Sequence, residues 1–241
     1  MQVLEIREDN LKELELLKTV EAGSIQLSAV KVSHDLIRII CEALKTYGAS
    51  LHSLKLELLF PSHPYNHDLK NFNFLEYCPN LKNLELKRCD INDSIFAHPK
   101  LSELTLNELW IAGKAKVQIG VDLDSALERL YIYDCNWCDE EHNSLGRLCI
   151  GVKSNLKVFE YSVDEDFLEC VAEIIEVDSC QKLEEMYIRN DSYWKLILKG
   201  KIPVLQKVSC DGGSYGQYTL STVGIEEGSS EYLVKLRESM N

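Results

Sequence analysis

Apolar residues recur along this chain at positions i, i+3 and i+5, and the triplet returns from one end of the chain to the other. Leu27, Val30 and Val32 fit it, followed by Leu51, Leu54 and Leu56, by Leu81, Leu84 and Leu86, and by Leu101, Leu104 and Leu106. The second half continues with Leu127, Leu130 and Ile132, then Leu156, Phe159 and Tyr161, then Leu183, Met186 and Ile188, and finally Leu205, Val208 and Cys210. The first positions of these eight units are 24, 30, 20, 26, 29, 27 and 22 residues apart. All but one of these spacings fall within the ~20–29 residues of leucine-rich repeats, with an irregular register.

The last two apolar positions of each unit lie on one face of a short strand, and the first turns inward as the chain enters it. One unit cannot bury that face alone. Stacking the units joins their strands into a parallel sheet, merges the inward leucines into one core, and leaves the residues between them on an exposed concave side. A β-sandwich would require longer strict alternation and turn signals every ~8–12 residues, which the chain lacks. The pattern therefore predicts an α/β, open leucine-rich-repeat solenoid, a horseshoe arc with a parallel concave sheet and mixed helical and extended returns.

The returns differ along the chain. Ser33 can cap a helix whose apolar positions Leu36, Ile37, Ile40, Leu44 and Tyr47 share a face, with Gly48 as a left-handed stop. Residues 68–77, with Leu69, Phe72 and Leu75, read as a second helix ahead of Pro79. Farther on, Ile95, Val117 with Ile119, Leu148 with Ile150, and Leu196 with Leu198 predict short extended elements. Residues 1–23 read as an irregular N-terminal repeat or cap, in which Leu4 and Ile6, then Leu11, Leu14 and Leu16, suggest one degenerate strand and the start of another. The solenoid occupies residues 24–211. Residues 212–241 supply a Gly-rich loop, with the repeat lost over 211–223, and a capping helix started by Ser230 and carrying Tyr232, Leu233 and Leu236.

Composition narrows the function classes. Lys and Arg number 26 against 39 Asp and Glu, a net charge of −13 over 241 residues, so the surface repels a phosphate backbone and nucleic acid is an unsuitable partner. No run of ~18 apolar residues crosses a bilayer, and the N-terminal residues lack the basic start and apolar stretch of a secretory signal. The nine cysteines are an odd number without a dense framework, which predicts reduced thiols in cytoplasm or nucleus.

The segment Cys78-Pro-Asn-Leu81-Lys-Asn-Leu84-Glu-Leu86-Lys-Arg-Cys89-Asp-Ile91-Asn-Asp93 resembles the cysteine-containing repeat of F-box leucine-rich-repeat proteins, where Cys, Leu, Leu, Leu and Cys precede an Ile-Thr-Asp-like turn. The stretch from Leu148-Cys-Ile150 through Asn155-Leu156 to Phe159-Glu-Tyr161-Ser162 is similar to the return-and-strand unit of plant-type members. The resemblance covers residues ~24–212 and implies a non-catalytic substrate receptor of a ubiquitin ligase. It stops short of the F-box. Ser33-His-Asp-Leu-Ile-Arg-Ile-Ile40 is superficially similar to the start of one, but Gly48 and the strand of Leu51, Leu54 and Leu56 replace the helices that would follow. Adaptor and cullin binding is thus assigned to no residue here and would require an F-box elsewhere in a full-length protein. The sensor or scaffold repeats of an immune-type receptor are the alternative within binding proteins.

An alternative of another class starts from Cys135-Asn-Trp-Cys138, with His142 and Cys149 nearby, as zinc or redox chemistry. The intervening gaps of three and six residues depart from a compact zinc knuckle, and Cys135 occupies an inward repeat position where a thiol packs under the strand end. Cys78, Cys89 and Cys180 fill similar core positions, and Cys41 belongs to a helix face. His63 and His67 have i, i+4 spacing, but Pro64 between them makes a loop. Gly212-Gly213 lacks the residues of a phosphate loop. Carboxylate runs at Asp139 to Glu141, Asp164 to Asp166 and Glu226-Glu227 read as solvated connections. No nucleophile and base stand close in sequence, so the reading is not an enzyme, with no metal and no cofactor.

What remains is the outward row of the strands. Glu103, Arg129, Tyr131, Tyr133, Glu160, Glu185, Tyr187 and Arg189 are the candidate partner-binding residues. The core demands no large rings at these positions, and Tyr and Arg are enriched where binding energy concentrates. The partner expected is a protein, drawn in by Glu103, Glu160 and Glu185 through a basic segment.

Overall fold

The computed structural model describes residues 2–6, 24–30, 34–59, 74–88, 90–92, 95–96, 98–112, 116–121, 124–138, 146–163, 172–190, 194–211 and 218–239. Over these the chain forms a solenoid of stacked coils held by parallel strands. The main sheet has nine: β1 (Gln2–Ile6), β2 (Ser24–Val30), β3 (Ser53–Leu59), β4 (Asn83–Lys87), β6 (Glu103–Asn107), β9 (Arg129–Tyr133), β12 (Val158–Val163), β14 (Glu185–Asn190) and β16 (Lys207–Asp211), in that spatial order. The order is sequential because each coil lies on the one before it, as repeats that cannot bury their own apolar face must.

Seven of the eight units stack in the register that the triplets predict. Leu54, Leu84, Leu104, Leu130, Phe159, Met186 and Val208 are neighbours across successive strands, and so are Leu56, Leu86, Leu106, Ile132, Tyr161, Ile188 and Cys210. The first positions Leu51, Leu81, Leu101, Leu127, Leu156, Leu183 and Leu205 are all buried. The first unit departs from expectation. Ile25 and Leu27, not Val30 and Val32, lie beside Leu54 and Leu56, a slip of five residues. Period-two alternation at Ile25 and Leu27 sets the pairing, and counting back three residues puts the small Ala22 where a leucine was sought.

The returns build two further parallel sheets. β8 (Lys116–Ile119), β11 (Arg147–Ile150), β13 (Ile174–Asp178), β15 (Trp194–Gly200) and β17 (Tyr218–Ile225) form one of five strands, while β5 (Asp90–Asn92), β7 (Trp110–Ala112) and β10 (Asn136–Cys138) form one of three. Val117, Ile119, Leu148, Ile150, Ile175, Val177, Leu196 and Leu198 face the same core as the leucines. β17 corrects the loop expected over 211–223: Tyr218 stacks on the buried Trp194, ring centroids 5.2 Å apart, and brings this polar segment into the ladder. Ile95 also differs from its expected extended conformation, sitting with Phe96 in a short helical turn.

Among the described residues two α-helices accompany the strands, α1 (His34–Tyr47) between β2 and β3, and α2 (Glu231–Ser239) near the end. Gly48 is not left-handed after α1. It starts a 3-10 turn, Gly48–Ser50, and is needed for close approach, because a Cβ there would lie 2.6 Å from the Tyr77 carbonyl oxygen and 2.8 Å from Cys78 Sγ. Of the helix expected over 68–77, only Phe74–Tyr77 is described, as one 3-10 turn. Leu11, Leu14 and Leu16 lie outside the described residues, as does the loop of Gly212, Gly213 and Gly216.

Among the described residues other than glycine, the left-handed ones are Arg88, Glu108, Asp134 and Ser179, each just after a strand, with φ between 51° and 56°. Their N–H groups donate to the neighbouring coil at Asn107, Tyr133, Ser162 and Lys199, 2.8 to 3.1 Å away. The chain thereby turns so that the next residues, among them Leu109, Cys135 and Cys180, point into the core.

The end of the nine-stranded sheet is closed by a side chain. Ser230 Oγ accepts from the Leu233 N–H at 3.1 Å and starts α2, whose buried Leu233 packs on the last coil. Tyr232 Oη then accepts from the Val208 N–H at 3.0 Å and donates to the Val208 carbonyl at 3.3 Å, taking the place of a tenth strand at that residue. Tyr232→Phe should cost about 1–2 kcal/mol in urea denaturation, since both bonds go while the ring stays. An unchanged midpoint would mean that water serves Val208 equally well.

Candidate functional site

The outward row of the nine-stranded sheet carries the candidate residues, placed there by strand alternation. In β9, Leu130 and Ile132 are buried while Arg129 is exposed and Tyr131 and Tyr133 are half-buried. In β14, Met186 and Ile188 go inward, leaving Glu185, Tyr187 and Arg189 outward. In β12 and β6, Glu160 and Glu103 share that face.

Register turns these residues into rows across the sheet. Lys55, Glu85, Thr105, Tyr131, Glu160, Tyr187 and Ser209 are successive neighbours in the central row. Asn83, Glu103, Arg129, Val158, Glu185 and Lys207 form the row on one side, and Glu57, Lys87, Asn107, Tyr133, Ser162, Arg189 and Asp211 the row on the other. All eight candidates therefore fall within four adjacent strands.

The first coils neutralise themselves. Lys55 pairs with Glu85, Lys87 reaches Glu108 at 3.4 Å and Glu57 at 4.0 Å, and Arg88 Nε donates to Glu108 at 2.6 Å. These pairs are partly exposed and have formed their contacts within the chain, so they offer a partner little. From β6 onward the face changes character. Tyr131 and Tyr133 stack, with centroids 6.5 Å apart and planes 16° from parallel. Arg129 reaches Glu103 at 3.5 Å. Tyr187 Oη donates to Glu185 at 2.5 Å and accepts from Lys207 Nζ at 3.2 Å, while the same ammonium stands 4.6 Å from the Tyr187 ring centroid.

Glu160 differs from its neighbours. It lies beside Tyr133, and among the described residues it makes no ion pair. Partial burial first, and then the nearby Glu160 carboxylate, push the Tyr133 phenol up to about 12. Burial, with Glu103 next in effect, also raises Tyr131 above the ordinary phenol value. Both rings are thus neutral donors at physiological pH. The sequence pattern places these residues, Lys207 included, on the outward row, but not their partnerships, since the place of Lys207 over Tyr187 depends on the register of β14 and β16.

The cysteine alternative meets a buried thiol. Cys135 is inaccessible, its Sγ donates to the Tyr133 carbonyl at 3.2 Å, and burial pushes it up to about 12. Among the described residues no group of three or more His, Cys, Asp or Glu is arranged to hold a metal. His63, His67, Cys89, Asp139 to His142 and Asp164 to Asp166 lie outside those residues, as does the side chain of Cys138. Glu226 and Glu227 are exposed in the connection before α2. No helix of the described residues is long and apolar enough to cross a membrane. Comparison of the chain with protein-family models, with curated proteins and with solved structures returned no match.

Proposed function

We propose that this chain is a leucine-rich-repeat horseshoe that recognises a protein partner without catalysis, as the substrate-binding part of an F-box-type ubiquitin-ligase receptor working in cytoplasm or nucleus. The recognition reading is carried by one observation. Tyr131, Tyr133 and Tyr187 are half-buried rings on the polar face of the sheet, within three neighbouring strands, where the leucine core makes no use of them. Rings held in this way contribute large contact area at small entropy cost. The ubiquitin-ligase assignment rests on the resemblance of the Cys78 to Asp93 repeat.

The test begins with affinity capture of a partner and measures its Kd for the wild type and for a Tyr131→Ala, Tyr133→Ala, Tyr187→Ala variant. A loss of about 30-fold or more, ~2 kcal/mol, is expected while the circular dichroism spectrum is unchanged. Unchanged affinity would remove the sheet face from consideration. Stoichiometric zinc in the purified protein would overturn the non-catalytic reading in favour of the cysteines.

A further inference from the structure

We infer that Glu160, between Tyr131 and Tyr187, is the receiving site for an arginine side chain of the partner; this deepens the recognition reading above and rests on it. Tyr131, Glu160 and Tyr187 are direct neighbours in the central row, one on each of β9, β12 and β14. Strands spaced ~4.8 Å apart put the two tyrosine positions roughly 9.6 Å apart with the carboxylate midway. A planar group with a ring on each side needs two contacts of about 3.5–4 Å. Such a sandwich spans about 7–8 Å from ring to ring, so the two positions have room for one flat cation with about 2 Å to be taken up by the lean of the rings, and an anion lies beneath it.

The surrounding charges show why this position is the one left open. Arg129 is engaged by Glu103. Lys207 sits against the Tyr187 ring and its hydroxyl, and that hydroxyl is bonded in turn to Glu185. Lys207 belongs to β16, on the other side of β14 from Glu160, and shows that the Tyr187 ring accepts a cation. Arg189 lies one row away, diagonal to Glu160. Glu160 lies beside Tyr133 and has no cation among the described residues. Two carboxylate oxygens have about four acceptor sites, enough to receive a guanidinium fork. A guanidinium matches both demands, fork to carboxylate and plane to ring, whereas an ammonium is a point charge with neither.

The probes are acetylated, amidated Gly-Gly-Arg-Gly-Gly and its lysine and citrulline counterparts, titrated into protein carrying 13C-labelled tyrosine rings. The arginine peptide should shift the Tyr131 and Tyr187 resonances saturably, the lysine peptide should bind about fivefold more weakly, and citrulline, which keeps the plane without the charge, should not bind. Glu160→Gln, which removes the charge and keeps the shape of the side chain, should weaken the arginine peptide about tenfold or more with the rest of the spectrum in place. Equal binding of citrulline, shifts confined to other tyrosines, or undiminished binding by Glu160→Gln would overturn the inference. The two readings fail separately. A captured partner lost by the triple tyrosine variant but kept by Glu160→Gln would sink the arginine site and leave the recognition face standing.

Discussion

Gly120→Ala should destabilise the protein by about 3 kcal/mol or more, far beyond the usual cost of one methyl group. Gly120 follows β8 with φ +61°, where an L side chain costs roughly 1–2 kcal/mol. Its Cβ would also stand 2.3 Å from Ser154 N, 2.4 Å from Ser154 Cα and 2.7 Å from the Lys153 carbonyl carbon, all backbone atoms of the next coil. Those atoms cannot rotate away. Lys153 N–H donates to the Gly120 carbonyl at 2.8 Å and Gly151 N–H to that of Ile119 at 2.9 Å, so giving way means opening the stack between β8 and β11. Gly224 supplies the control, since its φ of +57° is similar and a Cβ there meets nothing within 4 Å. Gly224→Ala should therefore lose only the conformational part, about 1–2 kcal/mol. Equal shifts of the two urea midpoints would show that close packing of the coils contributes nothing at Gly120.

That contact marks where the sequence stops being readable. The triplets at Leu51 through Cys210 are local patterns, and strand parity then determines which side chains face out, so Tyr131, Glu160 and Tyr187 could be placed on one face without knowing their neighbours. The first unit was misplaced because Leu27, Val30 and Val32 satisfy the same template by coincidence, while the true register at Ile25 and Leu27 lacks a leading leucine. The five-stranded sheet was only half visible. Val117 with Ile119 and Leu148 with Ile150 show as apolar pairs, but nothing local tells them to pair across about thirty residues, and Ile175 with Val177 passed unnoticed. β17 escapes a local reading because the segment before it is Gly-rich and its own positions are largely polar. The left-handed turns escaped for a similar reason: Arg88, Glu108, Asp134 and Ser179 share no side-chain type, and their common feature is a backbone bond to the next coil. In the candidate site, side chains were legible and partnerships were not. The approach of Glu160 to Tyr133 and the stand of Lys207 over Tyr187 both join residues more than nineteen apart in sequence.

The same buried cysteines that make poor metal ligands should make the protein collapse in mild alkali. Burial pushes Cys78, Cys135 and Cys180 up to about 12, whereas an exposed thiol in the unfolded chain ionises near 9. Between those values the unfolded state has released its protons and the folded state still holds them, so stability falls as pH rises. Below pH 9 the two states hold the same thiol protons and nothing is lost. Each pH unit within the window costs about 1.4 kcal/mol per thiol, hence roughly 4 kcal/mol for the three together. Tyr161, inaccessible and also raised by burial, adds to the loss above pH 10, the ordinary phenol value. Against a domain stability of about 5–15 kcal/mol, unfolding should set in within one to three pH units above 9. Urea midpoints measured under reducing conditions at pH 8, 9, 10 and 10.5 should be flat over the first interval and drop steeply over the rest. Replacing all three cysteines by alanine lowers stability at pH 8 through lost packing but should flatten the alkaline limb. If the wild type is as stable at pH 10.5 as at pH 8, these thiols reach solvent, and Cys135 returns as a candidate ligand or nucleophile.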